Sequence, residues 1–211
     1  MSNVEERSAE AWAPRTSLGK MVLDSRISSI EEVFNQGYKI REVEIVDFLL
    51  PNLQQEVLDI NLVQKQTDSG EKSRFRAIVL VGNSDGFLGI GAGKAKQTRD
   101  AIQKGVIDAK LNIFLVRRGC GSWGCDCEDP HSVPFKISGK CGSVRIEMIP
   151  APKGVGIVAS EVVKTIINFA GIKDCWTRSY GSTRTIQSFS FAACNALRNT
   201  YRVLTPKDWA R

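Results

Sequence analysis

The stretch Phe87-Leu-Gly-Ile-Gly-Ala-Gly-Lys94 decides how the chain is read. Alternating glycines that end in Gly-Lys invite a nucleotide-binding loop, and the two templates for one can be checked residue by residue. A Walker-type loop needs glycine five positions before the Gly-Lys pair and Ser or Thr directly after it; those positions hold Leu88 and Ala95. A dinucleotide fingerprint begun at Gly89 and Gly91 needs a further glycine where Lys94 stands. Both templates fail. The glycines then mark close backbone approach between a strand end, a helix start and a bulky partner.

The sequence on either side fits that reading. Upstream, residues 57–66, 74–81 and 87–92 read as three antiparallel strands, separated by Asp68-Ser69-Gly70 and by a Gly-Asn-Ser-Asp-Gly turn at 82–86. Side chains alternate along a strand, so Arg74 and Arg76 share one face, which Ile78 and Leu80 continue in apolar form. Downstream, residues 95–111 read as an amphipathic helix with Ala101, Ile102, Val106 and Ala109 inward and Lys96, Arg99, Lys104 and Lys110 on other faces. Lys94 and Lys96 fall at its expected start. There they oppose the helix dipole, and with the unpaired N–H groups they would form a phosphate site. Farther upstream, Ser28 and Ser29 each precede a glutamate by three residues, Glu31 and Glu32, and Gly37 follows. This is the signature of a short capped helix. Residues 1–27 show no periodicity and read as an extended arm.

Charge is divided unevenly along the 211 residues, which carry 29 Lys+Arg against 23 Asp+Glu, net +6. Residues 1–70 hold 7 basic and 12 acidic residues (net −5), residues 71–119 hold 10 and 4 (net +6), and residues 120–211 hold 12 and 7 (net +5). The basic character begins at Lys72, and a swing of this size points to a polyanionic partner for the later two-thirds. Apolar residues make up 42 % and charged residues 25 %, the composition of an ordinary globular chain. The longest apolar run is the stretch 77–81, far short of the ~20 residues that span a bilayer, and the first thirty residues lack the pattern of a secretory signal. A soluble chain with no membrane partner is expected.

Six cysteines in such a chain suggest reduced thiols or metal ligands rather than a disulfide framework. Cys120, Cys125, Cys127 and the only histidine, His131, follow in the order Cys-x4-Cys-x-Cys-x3-His on a glycine-rich loop. Three thiolates and an imidazole are a structural zinc set that leaves no open position for catalysis. The alternative is small free cysteines beside an unrelated histidine. A second unit follows: a hairpin of 133–138 and 143–149, a stiff Pro-Ala-Pro-Lys-Gly loop with Lys153 at its tip, a helix begun by Ser160 and ended by Gly171, a strand at 174–180 and a helix at 185–200.

These motifs together carry a resemblance. The stretch Gly82-Asn-Ser-Asp-Gly-Phe-Leu-Gly-Ile-Gly-Ala-Gly-Lys-Ala95, with Pro130-His-Ser-Val-Pro134, Gly139-Lys-Cys-Gly-Ser-Val144, Ile149-Pro-Ala-Pro-Lys-Gly154 and Ala170-Gly-Ile-Lys-Asp174, resembles the universal S-five family of small-subunit ribosomal proteins. The cysteine-bearing loop and acidic arm are similar to its archaeal branch. The resemblance implies an α+β fold, a double-stranded-RNA-binding-like N-terminal module followed by a second α/β sandwich domain. The expected divisions are an arm at 1–27, the first domain at 28–118, the Cys/His loop at 119–133 and the second domain at 134–211.

It also implies a cytoplasmic, ribosome-bound, non-enzymatic protein. Such a protein binds small-subunit rRNA near the decoding region, contacts the S-four and S-eight families, lines the mRNA entry side and influences translational accuracy, with no small-molecule substrate. By motif, Arg74, Arg76, Lys94 and Lys96 would contact rRNA. Charge alone adds Lys72, Arg99 and Lys104, and Lys153 would meet RNA or a neighbouring protein. Two rival classes are a phosphotransfer enzyme, since the second domain's fold is shared with kinases, and a double-stranded-RNA binder acting off the ribosome.

Overall fold

The computed structural model of the chain describes residues 12–125, 127 and 129–203. Its elements in chain order are α1 (Ser17–Leu23), α2 (Ile30–Asn35), α3 (Val43–Leu49), β1 (Gln54–Thr67), β2 (Gly70–Gly82), β3 (Phe87–Ala95), α4 (Thr98–Leu111), β4 (Phe114–Leu115), β5 (Ile137–Cys141), β6 (Val144–Pro150), β7 (Ile157–Val158), α5 (Glu161–Phe169), β8 (Cys175–Tyr180) and α6 (Ile186–Arg198). A 3-10 turn at Asn199–Arg202 closes the series. The α+β class expected from the sequence is the one observed, with two four-stranded sheets in the orders β1-β2-β3-β4 and β5-β6-β8-β7. Among the described residues, no helix is long and apolar enough to cross a membrane.

The first sheet is antiparallel, and its centre is β2, whose residues Ala77 to Val81 are all buried. Odd positions of β2 face α4 and even positions face the second sheet's helices, so a single run of five apolar residues serves two cores. The glycines of β3 make the first of these contacts possible. A Cβ on Gly89 would lie 2.3 Å from the Ala109 carbonyl oxygen, one on Gly91 2.2 Å from the Ala109 amide nitrogen, and one on Gly93 2.0 Å from the Ala101 carbonyl oxygen. Helix α4 therefore rests on bare strand backbone. Its own Gly105 answers with no Cβ, where one would meet the Val79 side chain at 2.7 Å. The close approach read from the sequence is thus realised, and the bulky partner is α4.

The second sheet repeats the device with different residues. A Cβ on Gly139 of β5 would lie 2.2 Å from the Ala192 carbonyl oxygen and 2.3 Å from the Ala196 amide nitrogen of α6. Helices α5 and α6 lie between the two sheets. Val163, Ile166 and Ile167 of α5 and Phe189, Ala193 and Leu197 of α6 form one core with Ile78, Leu80, Leu88 and Ile90 of the first sheet and Ile146 and Met148 of the second. The layers are α4, first sheet, α5 with α6, second sheet. The short β7 pairs parallel to β8 and completes the second sheet; the sequence reading placed no strand there.

Two expectations are corrected. Residues 1–27 were expected as an extended arm; residues 1–11 lie outside the described residues, but α1 is a helix capped by Thr16, whose Oγ1 accepts from the Gly19 amide at 3.1 Å. Leu18 and Val22 reach a core shared with α2, α3, Phe87 and Ile113, burial that a single short helix could not secure alone. The second correction concerns α4, which begins at Thr98 instead of 95. Lys94 and Ala95 continue β3 because they pair with Arg76 and Phe75. Of the two candidate caps, the one at Ser29 forms, without the return bond to its own amide that a full capping box makes. Its hydroxyl accepts from the Glu32 amide at 3.4 Å, and Glu32 accepts from the Ser28 amide at 3.2 Å.

Gly91→Ala forces a methyl group into the α4 backbone, so denaturant unfolding is expected to show a loss of about 3 kcal/mol. Gly124→Ala, where the nearest neighbour of a Cβ is 3.7 Å away, should stay within about 0.5 kcal/mol of the parent. Equal effects would contradict the stripe's role.

Candidate nucleic-acid interface and cysteine-histidine centre

The β1-β2 hairpin runs well beyond the body of the first sheet, and its register decides where the cations sit. Lys65 stands directly opposite Lys72, and Arg76 of β2 stands directly opposite Lys94 of β3. Directly opposed residues share a face, so two like-charge pairs face the same side, with Arg74 between them. Lys96 follows Lys94 by two residues at the end of β3 and is exposed. Like charges directly opposite destabilise a sheet, and a bound polyanion removes that cost. The same face carries Asp59, opposite Ile78, which accepts from Asn61 Nδ2.

The face gathers four of the eight cations singled out in the sequence, Lys72, Arg74, Arg76 and Lys94, and Lys96 is exposed just past the end of β3. Arg76 is half-buried, and its guanidinium donates to Gln187 Oε1 of α6 at 2.6 Å, so it also braces the first sheet against the second unit. Arg99 and Lys104 are exposed on α4, on the opposite side of the sheet. Lys153 belongs to the second unit, where its Nζ pairs with Asp129 at 2.6 Å in an exposed contact. The phosphate site expected at a helix start with both lysines is corrected, because Lys94 lies in the strand, four residues before Thr98. Lys65 escaped the sequence reading because only the register reveals its position opposite Lys72.

The cysteine-histidine loop is closed at its base by a two-way bridge, Gly119 N to Ser132 O and Ser132 N to Gly119 O, each 2.9 Å. That bridge sets Cys120 beside His131. Gly121 then passes so close to Pro134 that a Cβ would lie 2.1 Å from its carbonyl oxygen. The sulfurs of Cys120, Cys125 and Cys127 and the imidazole of His131 all lie within 4.8 Å of one another. Cys125 Sγ is 3.7 Å from His131 Nε2, near the separation of about 3.5 Å expected for sulfur and nitrogen ligands of one tetrahedral ion. Hydrogen bonding with Cys127, then with the Lys153 backbone, lowers Cys125 to about 7; the same contact with Cys125, aided by burial, raises Cys127 to about 12.

His131 is almost fully buried, and its other ring nitrogen, Nδ1, lies 2.8 Å from Asp174 Oδ2. Burial works against the Asp174 carboxylate, but the Gly156 amide at 2.8 Å, the His131 contact and the Gly154 amide at 3.1 Å outweigh it and hold Asp174 below the usual carboxylate range. The carboxylate fixes the imidazole so that Nε2 faces the three thiols, the orientation that metal-binding histidines use. The Lys173 and Asp174 amides both donate to the His131 carbonyl, at 2.9 and 3.1 Å. Asp174 gave no local sequence signal; it lies 43 residues from its partner.

With this geometry in place, comparison with known proteins is decisive. Residues 53–117 match the family model described as Ribosomal protein S5, N-terminal domain, and residues 139–211 match Ribosomal protein S5, C-terminal domain. The chain belongs to the ribosomal protein S5 family. It is 55% identical over 202 residues to the small ribosomal subunit protein uS5 of Saccharolobus solfataricus, covering 96% of this chain and 94% of that protein. It is 51% identical over 211 residues to the protein of the same name from Staphylothermus marinus, covering 100% and 99%. A third relative so named, from Thermofilum pendens, is 57% identical over 198 residues, covering 94% and 98%. All three organisms are archaea. Within this S5 chain, the cationic face falls inside the N-terminal match and Asp174 inside the C-terminal one, while the ligand loop lies between the two.

A double-mutant cycle on Arg76→Ala and Gln187→Ala should return a coupling of about 1.5 kcal/mol in unfolding free energy, as for a hydrogen bond to a charged donor. Strict additivity would remove the bracing role.

Proposed function

We propose that the chain is a structural constituent of the small ribosomal subunit, working in the cytoplasm as part of the ribosome, that holds rRNA on the cationic face of its first sheet. The observation that carries this reading is the pairing of like charges, Lys65 with Lys72 and Arg76 with Lys94, in a member of the S5 family. Lys72, Arg74, Lys94 and Lys96 neutralise phosphates and release counterions; Arg76 adds charge while bracing the second unit. Folded RNA is recognised mainly by shape, through backbone and 2′-hydroxyl groups. Arg99, Lys104 and Lys153 serve as separate, weaker contacts. The first unit, with α1 packed into its core, spans 17–118 and the second 134–211, joined by the loop of 119–133. Family membership supports the finer placement near the decoding region and mRNA entry side, beside S-four and S-eight family proteins, with an influence on accuracy. It also supports a binding role in preference to an enzyme or a binder acting off the ribosome.

In the same reading, Cys120, Cys125, Cys127 and His131 hold a structural zinc ion. The donor set and the Asp174-oriented imidazole support it; the Cys125 and Cys127 sulfurs, 2.9 Å apart, separate to the roughly 3.8 Å that two thiolates on one tetrahedral ion require. The ion supplies a cross-link with no open coordination position. Asp174 ties that cross-link to the loop carrying Lys153 through the amides of Gly154 and Gly156.

With about six phosphate contacts, raising salt from about 50 to about 200 mM should weaken rRNA binding roughly a thousandfold. Lys94→Ala with Lys96→Ala should flatten the slope of log affinity against log salt by about two; an unchanged slope would place phosphate elsewhere. Elemental analysis of the purified chain should find one zinc per protein. Asp174→Asn should weaken zinc binding by about 10- to 100-fold in a chelator competition. A chain that folds unchanged without zinc would contradict the cross-link.

A further inference from the structure

The outer face of the second sheet carries no covering element among the described residues. Val144, Ile146 and Met148 of β6 point into the core, so alternation turns Arg145 and Glu147 outward. The register places Trp176 opposite Ile149, Arg178 opposite Glu147 and Tyr180 opposite Arg145. Trp176, Arg178 and Tyr180 therefore form a row along β8 with rungs about 6.6 Å apart. All three are exposed, Trp176 by 40% and Tyr180 by 48%. On the neighbouring strands, Lys140 lies opposite Arg145, and Lys136 precedes β5 by one residue.

Charge on this face is one-sided. Its carboxylate, Glu147, is covered and doubly paired, with Lys136 Nζ at 2.9 Å and Arg145 at 2.8 Å, and Arg178 acts on it from the next strand. Lys136, which contributes most, and the two arginines hold Glu147 below the usual glutamate range despite its burial. Three cations around one carboxylate, with Lys140 beside Arg145, leave the face strongly positive. A protein-docking surface would place its apolar residues at the centre and its charges at the rim; here the middle rung is Arg178 beside Glu147. Two exposed rings flanking a guanidinium plane offer three stacking surfaces in line, which bases can use only when they are unpaired.

We propose that the outer face of the second sheet is a binding platform for single-stranded RNA, with Trp176 and Tyr180 stacking bases, Arg178 stacking or pairing between them, and Arg145 and Lys140 holding phosphates. The platform is separate from the cationic face of the first sheet, on a different strand set, and the two can be read independently.

The test measures binding of the full chain to a short fluorescein-labelled oligouridylate and, in parallel, to an RNA duplex, by fluorescence anisotropy at one fixed salt concentration. Trp176→Ala with Tyr180→Ala removes two exposed side chains. It should weaken single-strand binding at least about tenfold while duplex binding changes by less than about twofold. Trp176→Phe, which keeps a ring, should recover most of the single-strand affinity, a rescue that a merely structural role would not give. Lys94→Ala with Lys96→Ala should show the converse preference and weaken duplex binding more. Oligouridylate affinity that is undetectable in the parent chain, or unaltered by loss of both rings, overturns the proposal and leaves the face to a protein neighbour. Parallel loss of single-strand and duplex binding in the ring variant overturns it too.

Discussion

Helix α4 lying directly on the backbone of β3 is the contact on which the rest of the first unit depends. Gly89, Gly91 and Gly93 leave no side chain between strand and helix, and each would place a Cβ within 2.3 Å of helix backbone. Burying that surface so closely frees the other face of the sheet. Ile78, Leu80, Leu88 and Ile90 can then all serve the core shared with α5 and α6. Lys94 owes its position to the same constraint: the alternation that turns the glycines toward α4 turns Lys94 to the side of Arg76. One packing solution thus sets the core, the seating of the second sheet and the orientation of the cationic face.

The charge arrangement costs the free protein stability and gives the bound one affinity. Opposed cations at Lys65 and Lys72 are tolerable on a projecting hairpin where water screens them, while those at Arg76 and Lys94 meet in the body of the sheet. Gln187 relieves part of the strain by accepting from Arg76. The cysteine-histidine centre works by a different principle. There Asp174 gathers His131, Gly154 and Gly156 around one carboxylate, so that the loop before β5, the loop after β6 and the start of β8 meet at one point. The cross-strand register and this buried carboxylate give the molecule two fixed surfaces without any reacting group.

Much of this was legible in the sequence because periodicity and punctuation are local. The three long strands, α4, α5 and α6 follow from alternation, amphipathic spacing and turn residues, and the Cys/His set follows from its spacing. What escaped required partners distant in sequence. Helix α1 forms because Leu18 and Val22 meet a core supplied by residues as far away as Ile113. Lys94 was misassigned to a helix because only pairing with Arg76 extends β3 that far. Asp174 was invisible as an orienting group, since nothing in Ile-Lys-Asp-Cys signals a histidine at 131. The short β7 was hidden inside a proline-glycine loop, and its pairing with β8 depends on tertiary placement.

Sedimentation of a native cell extract through a density gradient, at low and at about half-molar salt, tests the central claim most directly, with this chain followed by mass spectrometry. The chain is expected to stay in the small-subunit peak at both salts. An integral component is held by shape and buried contacts as well as by exposed phosphate pairs, and only the latter are largely screened at such ionic strength. Migration at the top of the gradient even at low salt would contradict it.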